Sequence, residues 1–130
     1  MPIETHIDPE NGIRRHILSG EIRAEEIEAV LTEVASDPGF SAETPALWDL
    51  RGADNLISPD RIRSLASFAN KTWHDAGHPR VALLTRRKVV FGLARMYEQF
   101  LSFRNIIQLR VFEEEDEAVA WLVDSQPADA

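Results

Sequence analysis

The spacing of apolar and polar positions along this chain predicts strands and helices in turn. Two short segments with strand character, 3–8 and 13–18, flank the run DPENG at positions 8–12. Proline cannot donate to a sheet ladder and Asn-Gly readily adopts positive φ, so this run predicts a hairpin turn. The chain is therefore expected to begin with two antiparallel strands.

The rest of the chain predicts three helix–strand units and a closing helix. The helix that starts at Ser58 is the best defined, because it has a hydroxyl N-cap, Pro59 at the first helical position and Asp60 in the first turn. The predicted elements are a helix at 23–36, a strand at 46–50, a helix from 58 that ends by 77, a strand at 80–85, a helix at 89–103, a strand at 106–112 and a helix ending near 123.

These elements predict an α/β fold with the order β-β-α-β-α-β-α-β-α. Helices would pack on both faces of the sheet, because a nearly continuous apolar strand such as 46–50 is typical of a sheet covered on both faces. A length of 130 residues leaves room for one domain, 1–130. Its ordered core is expected over about 3–123 and a polar tail over 124–130.

Composition argues against several classes of function. The chain has no cysteine, which removes thiolate metal ligands and thiol nucleophiles, and its net charge of −8 argues against nucleic acid as a partner. No apolar run reaches the length that spans a bilayer. The first residues lack the basic and apolar regions of a signal peptide, so we expect a cytoplasmic protein that does not span a membrane.

The basic side chains are concentrated in the middle of the chain. Residues 59–110 hold 10 basic and 3 acidic side chains, whereas residues 111–130 hold 7 acidic and no basic ones. At residues 85–88 a predicted strand ends and a predicted helix starts, which places the free amides of the helix N-terminus beside cations and predicts an anion site. The alternative is a basic loop that pairs with the acidic helices. The candidate residues are Thr85, Arg86, Arg87 and Lys88.

The strand at 46–50 carries a second candidate. Asp49 lies at its carboxyl end, where open α/β sheets place ligand crevices, and Arg51 follows it. Asp49 and Arg51 could line such a crevice. The simpler interpretation is that Asp49 accepts hydrogen bonds from loop amides and pairs with Arg51.

The helix at 89–103 is apolar around most of its circumference, so it must be covered on more than one side. Burial within the monomer, a subunit interface or a pocket for an apolar ligand would each cover it. The residues expected at such an interface or pocket are Val89, Met96, Tyr97, Phe100 and Phe103.

The histidines do not predict a metal site. His6 and His16 fall on the first two strands and are interpreted as ordinary edge-strand residues. His74 and His78 have the spacing of a helical metal pair, but Gly77 interrupts the helix and no carboxylate motif accompanies them. We also find no phosphate loop, nucleophile elbow or dinucleotide fingerprint. We therefore expect no cofactor and no enzymatic activity.

The chain resembles the SpoIIAA-like family, which is related to STAS domains (sulfate transporter and anti-sigma factor antagonist) and is described as STAS/SEC14-like. Besides the element order, the resemblance is carried by LWDLRG at 47–52, FGLARM at 91–96, and VF at 111–112 with EAVAWL at 117–122. It covers about 3–123 and implies a mixed sheet of four or five strands with helices packed on it.

The resemblance implies two functions. In anti-sigma factor antagonists, a kinase phosphorylates a serine at the start of the helix after the central strand. Ser58 lies nine residues after Asp49, at similar spacing, although an N-cap role also explains it. The SEC14 side implies a lipid or other apolar ligand beneath helix 89–103, with Arg86, Arg87 and Lys88 at an acidic head group.

Taken together, the sequence favours a non-catalytic binding or regulatory module that forms a homodimer through helix 89–103. Its partner would be another protein. The alternatives are binding of a lipid or anionic small molecule beneath that helix, and a regulator switched by phosphorylation of Ser58.

Overall fold

The structure is a computed structural model that describes residues 3–37, 44–54, 57–72, 80–102 and 107–123. Phe103, His74, His78 and the predicted tail at 124–130 lie outside these residues. The elements in chain order are β1 (Ile3–Asp8), β2 (Ile13–Gly20), α1 (Ala24–Ser36), β3 (Ala46–Ala53), α2 (Pro59–Thr72), β4 (Arg80–Leu84), α3 (Lys88–Ser102), β5 (Gln108–Phe112) and α4 (Glu115–Val123).

The five strands form one mixed sheet in the order β1-β2-β3-β4-β5. β1 pairs with β2 antiparallel, and every later pair is parallel. The predicted element order and the mixed sheet are therefore confirmed. The connection between β1 and β2 is the predicted turn, in which Gly12 adopts a φ of 67° and its amide donates to the Asp8 carbonyl at 2.8 Å.

The strand β3 is longer than its apolar run. It continues past Leu50 because Gly52 pairs with Ser19 and Ala53 pairs with Gly20, which extends the parallel ladder with β2. An apolar run marks the buried part of a strand, whereas the ladder also includes exposed residues at the strand end. The predicted end at residue 50 was wrong for this reason.

Helices α1, α2 and α3 lie on one face of the sheet, and α4 lies on the other. The three crossovers from β2 to β5 all move in the same direction across the sheet, so a common hand places their helices on a common face. The core on that face includes Leu31, Ala66 and Ala94 from the helices. The opposite core joins Ala118 and Leu122 of α4 to the sheet.

Gly52 is required where β3 approaches β2 closely. A Cβ atom at this position would lie 2.9 Å from the carbonyl oxygen of Leu18, which is backbone and cannot rotate away. We expect Gly52→Ala to lower the free energy of unfolding by about 1–3 kcal/mol, the usual cost of overpacking. Urea unfolding measures this difference.

A matched control is available in α3. A Cβ atom at Gly92 would meet nothing within 4 Å, and Gly92 lies in the interior of the helix. Gly92→Ala is therefore expected to raise the free energy of unfolding by about 0.5–1 kcal/mol. Equal effects of the two substitutions would contradict the close approach of β3 to β2.

Candidate functional site

An apolar cavity of about 120 Å³ lies between the sheet and helices α1, α2 and α3. Its walls come from the sheet and all three helices, so no single segment of the chain forms it. Side chains that line it include Leu18, Trp48 and Leu83 from the sheet and Leu31, Leu65 and Leu93 from the helices. Such a lining favours an apolar molecule and offers water few hydrogen-bond partners.

The residues predicted on helix 89–103 have different environments. Tyr97 lines the cavity, and burial raises the pKa of its phenol. Phe100 packs against the core beneath the guanidinium of Arg63, 5.1 Å from the ring centroid. Met96 is half-buried and Val89 is 60% exposed. Among the described residues of this set, the structure therefore brings only Tyr97 to the cavity.

A polar wall that the sequence did not reveal borders the cavity on the β2 side. It consists of Arg14, which lines the cavity, and His16, which follows on the same face of β2, together with Thr5 and Trp48. Arg14 Nε donates to His16 Nε2 at 3.1 Å, and His16 Nδ1 lies 2.8 Å from Thr5 Oγ1 on β1. The His16 ring also stacks on Trp48, with the ring centroids 4.1 Å apart. This set of four residues is called the polar wall below.

The polar wall defines the tautomer of His16. An arginine side chain only donates, so Nε2 of His16 must accept and Nδ1 carries the proton that is donated to Thr5 Oγ1. Burial, together with the positive charges of Arg14 and His6, lowers the pKa of His16 to about 3. The ring is therefore neutral at physiological pH, as its accepting role requires.

His16 is not the ordinary edge-strand residue expected from sequence. β2 lies between β1 and β3, so it is an internal strand, and His16 is only 1% exposed. The interpretation of His16 was wrong because the first strand of the chain, β1, forms the edge and covers β2.

Side chains of the predicted anion site form hydrogen bonds within the protein. Thr85 is buried, and its Oγ1 accepts the amide of Arg87 at 3.4 Å. Arg86 donates to the Glu113 carbonyl and to the Glu114 carboxylate, and Arg87 donates to the Ala53 carbonyl. Lys88 is exposed at the first position of α3. Arg86 and Arg87 thus connect the loop after β4 to the segment after β5 and to the end of β3.

The predicted crevice residues form an ion-pair network on the other face of the sheet. Asp49 accepts the amide and guanidinium of Arg51, the closest atoms being 2.8 Å apart, and Arg51 also bonds Glu115 at 3.1 Å. Glu115 bonds Arg15, which in turn bonds Asp8. Burial acts to raise the pKa of Asp49, but the hydrogen bonds from Arg51 outweigh it and lower the pKa. This network ties α4 to β1, β2 and β3.

Ser58 lies at the start of α2 and is exposed. Its Oγ accepts the amide of Arg61 at 3.4 Å, and its carbonyl accepts the amide of Ile62 at 2.9 Å. Ser58 therefore has the geometry of an N-cap, with its hydroxyl open to solvent.

Neither a metal site nor a membrane span has a candidate within the described ranges. These residues contain no group of three or more histidine, aspartate or glutamate side chains that could hold a metal ion. No helix among them is long and apolar enough to cross a membrane.

Comparison with known proteins identifies the fold. No family model matches the chain, and no curated protein matches it significantly. Among solved structures, the chain is similar to the crystal structure of an uncharacterized protein of the DUF3478 family with a SpoIIAA-like fold, from Shewanella loihica PV-4. The two share 18% sequence identity over 92% of this chain and 91% of that chain, with a TM-score of 0.59. The chain therefore has a SpoIIAA-like fold, as the sequence resemblance implied.

Proposed function

We propose that the protein is a non-catalytic binding module that holds a small apolar molecule in the cavity beneath α3. The observation that carries this proposal is the cavity itself, which is lined mainly by apolar side chains of the sheet and three helices. Its volume of about 120 Å³ is slightly below the roughly 150 Å³ of an apolar cavity that binds benzene. A body of about four to six carbon atoms matches this space.

The proposal predicts that filling the cavity abolishes binding. Ala94 of α3 is buried and lines the cavity, so Ala94→Leu places additional carbon atoms in the space. We expect Ala94→Leu to lower the affinity for 1-pentanol about tenfold or more. Binding is measured by the change in NMR chemical shifts on titration. The variant should remain folded, because the added atoms occupy existing space. Those shifts should centre on Tyr97 and Trp48 in the wild-type protein.

Ala29→Leu is the matched control, because it makes the same change at an exposed residue of α1 that does not line the cavity. It should leave 1-pentanol binding unchanged. If the wild-type protein shows no shifts with 1-pentanol or benzene, the proposed function is wrong.

Two further proposals from the sequence concern regulation. The exposed hydroxyl of Ser58 at a helix N-terminus would accommodate a phosphate favourably, which supports the phosphorylation switch. Over residues 88–101 of α3, support for a homodimer is limited to Val89, because the other exposed positions there are Lys88, Gly92, Arg95 and Gln99. Mass spectrometry of the protein purified from its host tests these proposals together. The native spectrum would show a retained ligand or a dimer, and the spectrum under denaturing conditions would show a covalent phosphate.

A further inference from the structure

The strand β1 is an edge of the sheet, and among the described strands it pairs with β2 alone. Alternate residues of an antiparallel edge strand direct their N–H and C=O groups away from the sheet, where another extended segment can bond them. Lysine, proline and bulges commonly protect such an edge, and β1 has none of these along its length. Its four central side chains, Glu4 to Ile7, are exposed, and Ile7 is 55% exposed.

We infer that β1 pairs with β1 of a second copy of this chain, antiparallel and centred on Thr5, so that two five-stranded sheets join into one. A twofold axis perpendicular to the sheet at Thr5 produces this arrangement, and closed twofold dimers are the commonest protein oligomers. The inference goes beyond the proposed binding function and does not depend on it.

Complementary side chains meet in this register. Directly opposite residues of an antiparallel pair lie on the same face and interact. Glu4 lies opposite the partner's His6, and the twofold axis repeats this pairing of an acidic with a basic side chain. On the other face, Ile7 lies opposite the partner's Ile3, which brings an exposed apolar side chain beside another apolar one.

The neighbouring registers bring like charges together. The twofold axis maps each face of the sheet onto itself, so the register can shift only in steps of two residues. A step in one direction places Glu4 opposite the partner's Glu4, and a step in the other places it opposite the partner's Asp8. Like charges directly opposite each other are destabilising. The charges of β1 therefore favour the register centred on Thr5 over its two neighbours.

The edge at β5 is less suited to pairing with itself. Its exposed side chains are Gln108 and Arg110, and the strand contains no acidic residue. A second copy of β5 could therefore offer Arg110 no opposite charge. Of the two edges of the sheet, β1 is the one that complements itself in charge.

Analytical ultracentrifugation over a concentration series tests the dimer. We expect a reversible species of twice the 14.7 kDa of one chain. Because one six-residue edge is a small contact, the series should extend to about 1 mM of chain. A monomer throughout this range would overturn the inference. Growth beyond a dimer would also overturn it, since open-ended assembly indicates that β1 pairs with β5 instead.

Exposed charges of β1 provide variants that should remain folded. His6→Glu places two carboxylates opposite each other twice and should raise the dissociation constant of the dimer about tenfold or more. Adding Glu4→Lys to this variant recreates an opposite-charge pair and should restore the dimer. Ala29→Glu is the matched control, because it adds the same charge at an exposed residue of α1 and should change nothing. A dimer that His6→Glu does not weaken, or that Glu4→Lys does not restore, would contradict the proposed pairing.

The pairing through β1 is distinguished from one through α3 by a second pair of variants. Ile7→Lys should weaken the dimer, whereas Val89→Lys, the comparable change at an exposed apolar residue of α3, should leave it intact. The reverse result would assign the dimer to α3 and overturn the inference.

The chain has no cysteine, so a single introduced cysteine reports the register. Thr5→Cys places the two cysteines directly opposite each other, with Cα atoms about 4.5–5.5 Å apart, which a disulfide can span. His6→Cys places them diagonally, about 7–8 Å apart, which is too far. Under mild oxidation Thr5→Cys should form the covalent dimer faster than His6→Cys. Equal or reversed rates would overturn the register.

Discussion

Lowering the pH from about 7.5 to about 5.0 is expected to lower the free energy of unfolding by about 2 kcal/mol through His16 alone. The pKa of His16 is lowered to about 3 in the folded state, against an ordinary value of 6.5 in the unfolded chain. Below pH 6.5 the unfolded chain therefore binds a proton that the folded protein does not, so stability falls as the pH falls toward 3. Above pH 6.5 both states are neutral at this position and the effect vanishes.

The structural reason is the polar wall. A protonated His16 could not accept the hydrogen bond from Arg14 Nε, and it would place a second positive charge beside the guanidinium. Urea unfolding at several pH values measures the effect. Carboxylates also titrate toward about pH 5, so the wild-type protein must be compared with a variant that differs only at this residue.

His16→Gln is that variant, because an amide can accept from Arg14 but does not titrate. Its loss of stability between about pH 7.5 and about pH 5.0 should be smaller than that of the wild-type protein by about 2 kcal/mol. An undiminished loss in His16→Gln would show that His16 is accessible to protons in the folded state.

Truncation of Leu122 is expected to have the largest effect of any substitution considered, a loss of about 3 kcal/mol in the free energy of unfolding for Leu122→Ala. Leu122 is fully buried between α4 and the sheet, in the core that also contains Leu47 and Phe112. Among the described elements, α4 alone covers that face of the sheet, so few neighbours can move into the vacated space.

Val123→Ala is the control for this substitution. Val123 is the next residue along α4 but is 45% exposed, and its truncation should change stability by no more than about 0.5 kcal/mol. Urea unfolding again supplies the values. Because the cavity lies on the opposite face of the sheet, binding of 1-pentanol to folded Leu122→Ala should match the wild type. A loss below about 1 kcal/mol in the free energy of unfolding for Leu122→Ala would contradict the packing of α4 against the sheet.

The fold could be predicted from sequence because each element carried a local signal. The turn at 8–12 has its own residue chemistry, the start of α2 has Ser58 and Pro59, and the helices have apolar stripes at helical spacing. Sequence alone does not define strand order. The resemblance to SpoIIAA-like proteins supplied the mixed sheet, and the structure confirms it.

The polar wall could not be predicted, and β2 shows why. Alternate residues of this strand face opposite sides, so Arg14 and His16 share one face with Leu18 while Arg15 shares the other with Ile13. Each face mixes charged and apolar residues, so the pattern does not tell which charges are buried. The burial of Arg14 and His16 is decided by β1 and the three helices, which no local pattern contains.

The cations after β4 show a different limit of sequence analysis. Three adjacent basic residues at a helix start are conspicuous in sequence, but the partners of Arg86 and Arg87 are mainly backbone carbonyls of β3 and of the segment after β5. Backbone acceptors are present at every residue, so sequence cannot reveal which carbonyls a side chain reaches. Arg86 and Arg87 thus bond neighbouring parts of the chain, while an inconspicuous arginine in a strand lines the cavity.

The strand order has a consequence for how this chain can be synthesised and folded. Each strand pairs with its neighbour in the sequence, so every segment that leaves the ribosome can add to an edge that already exists. No later strand has to insert between two earlier strands, which avoids the long loop closures that slow the folding of many sheets. The exception is the face covered by α4, which stays uncovered until the last described helix has emerged. Nascent chains that stop before Glu115 would thus expose Leu47, Leu84 and Phe112, and they are the form in which this protein is most exposed to aggregation.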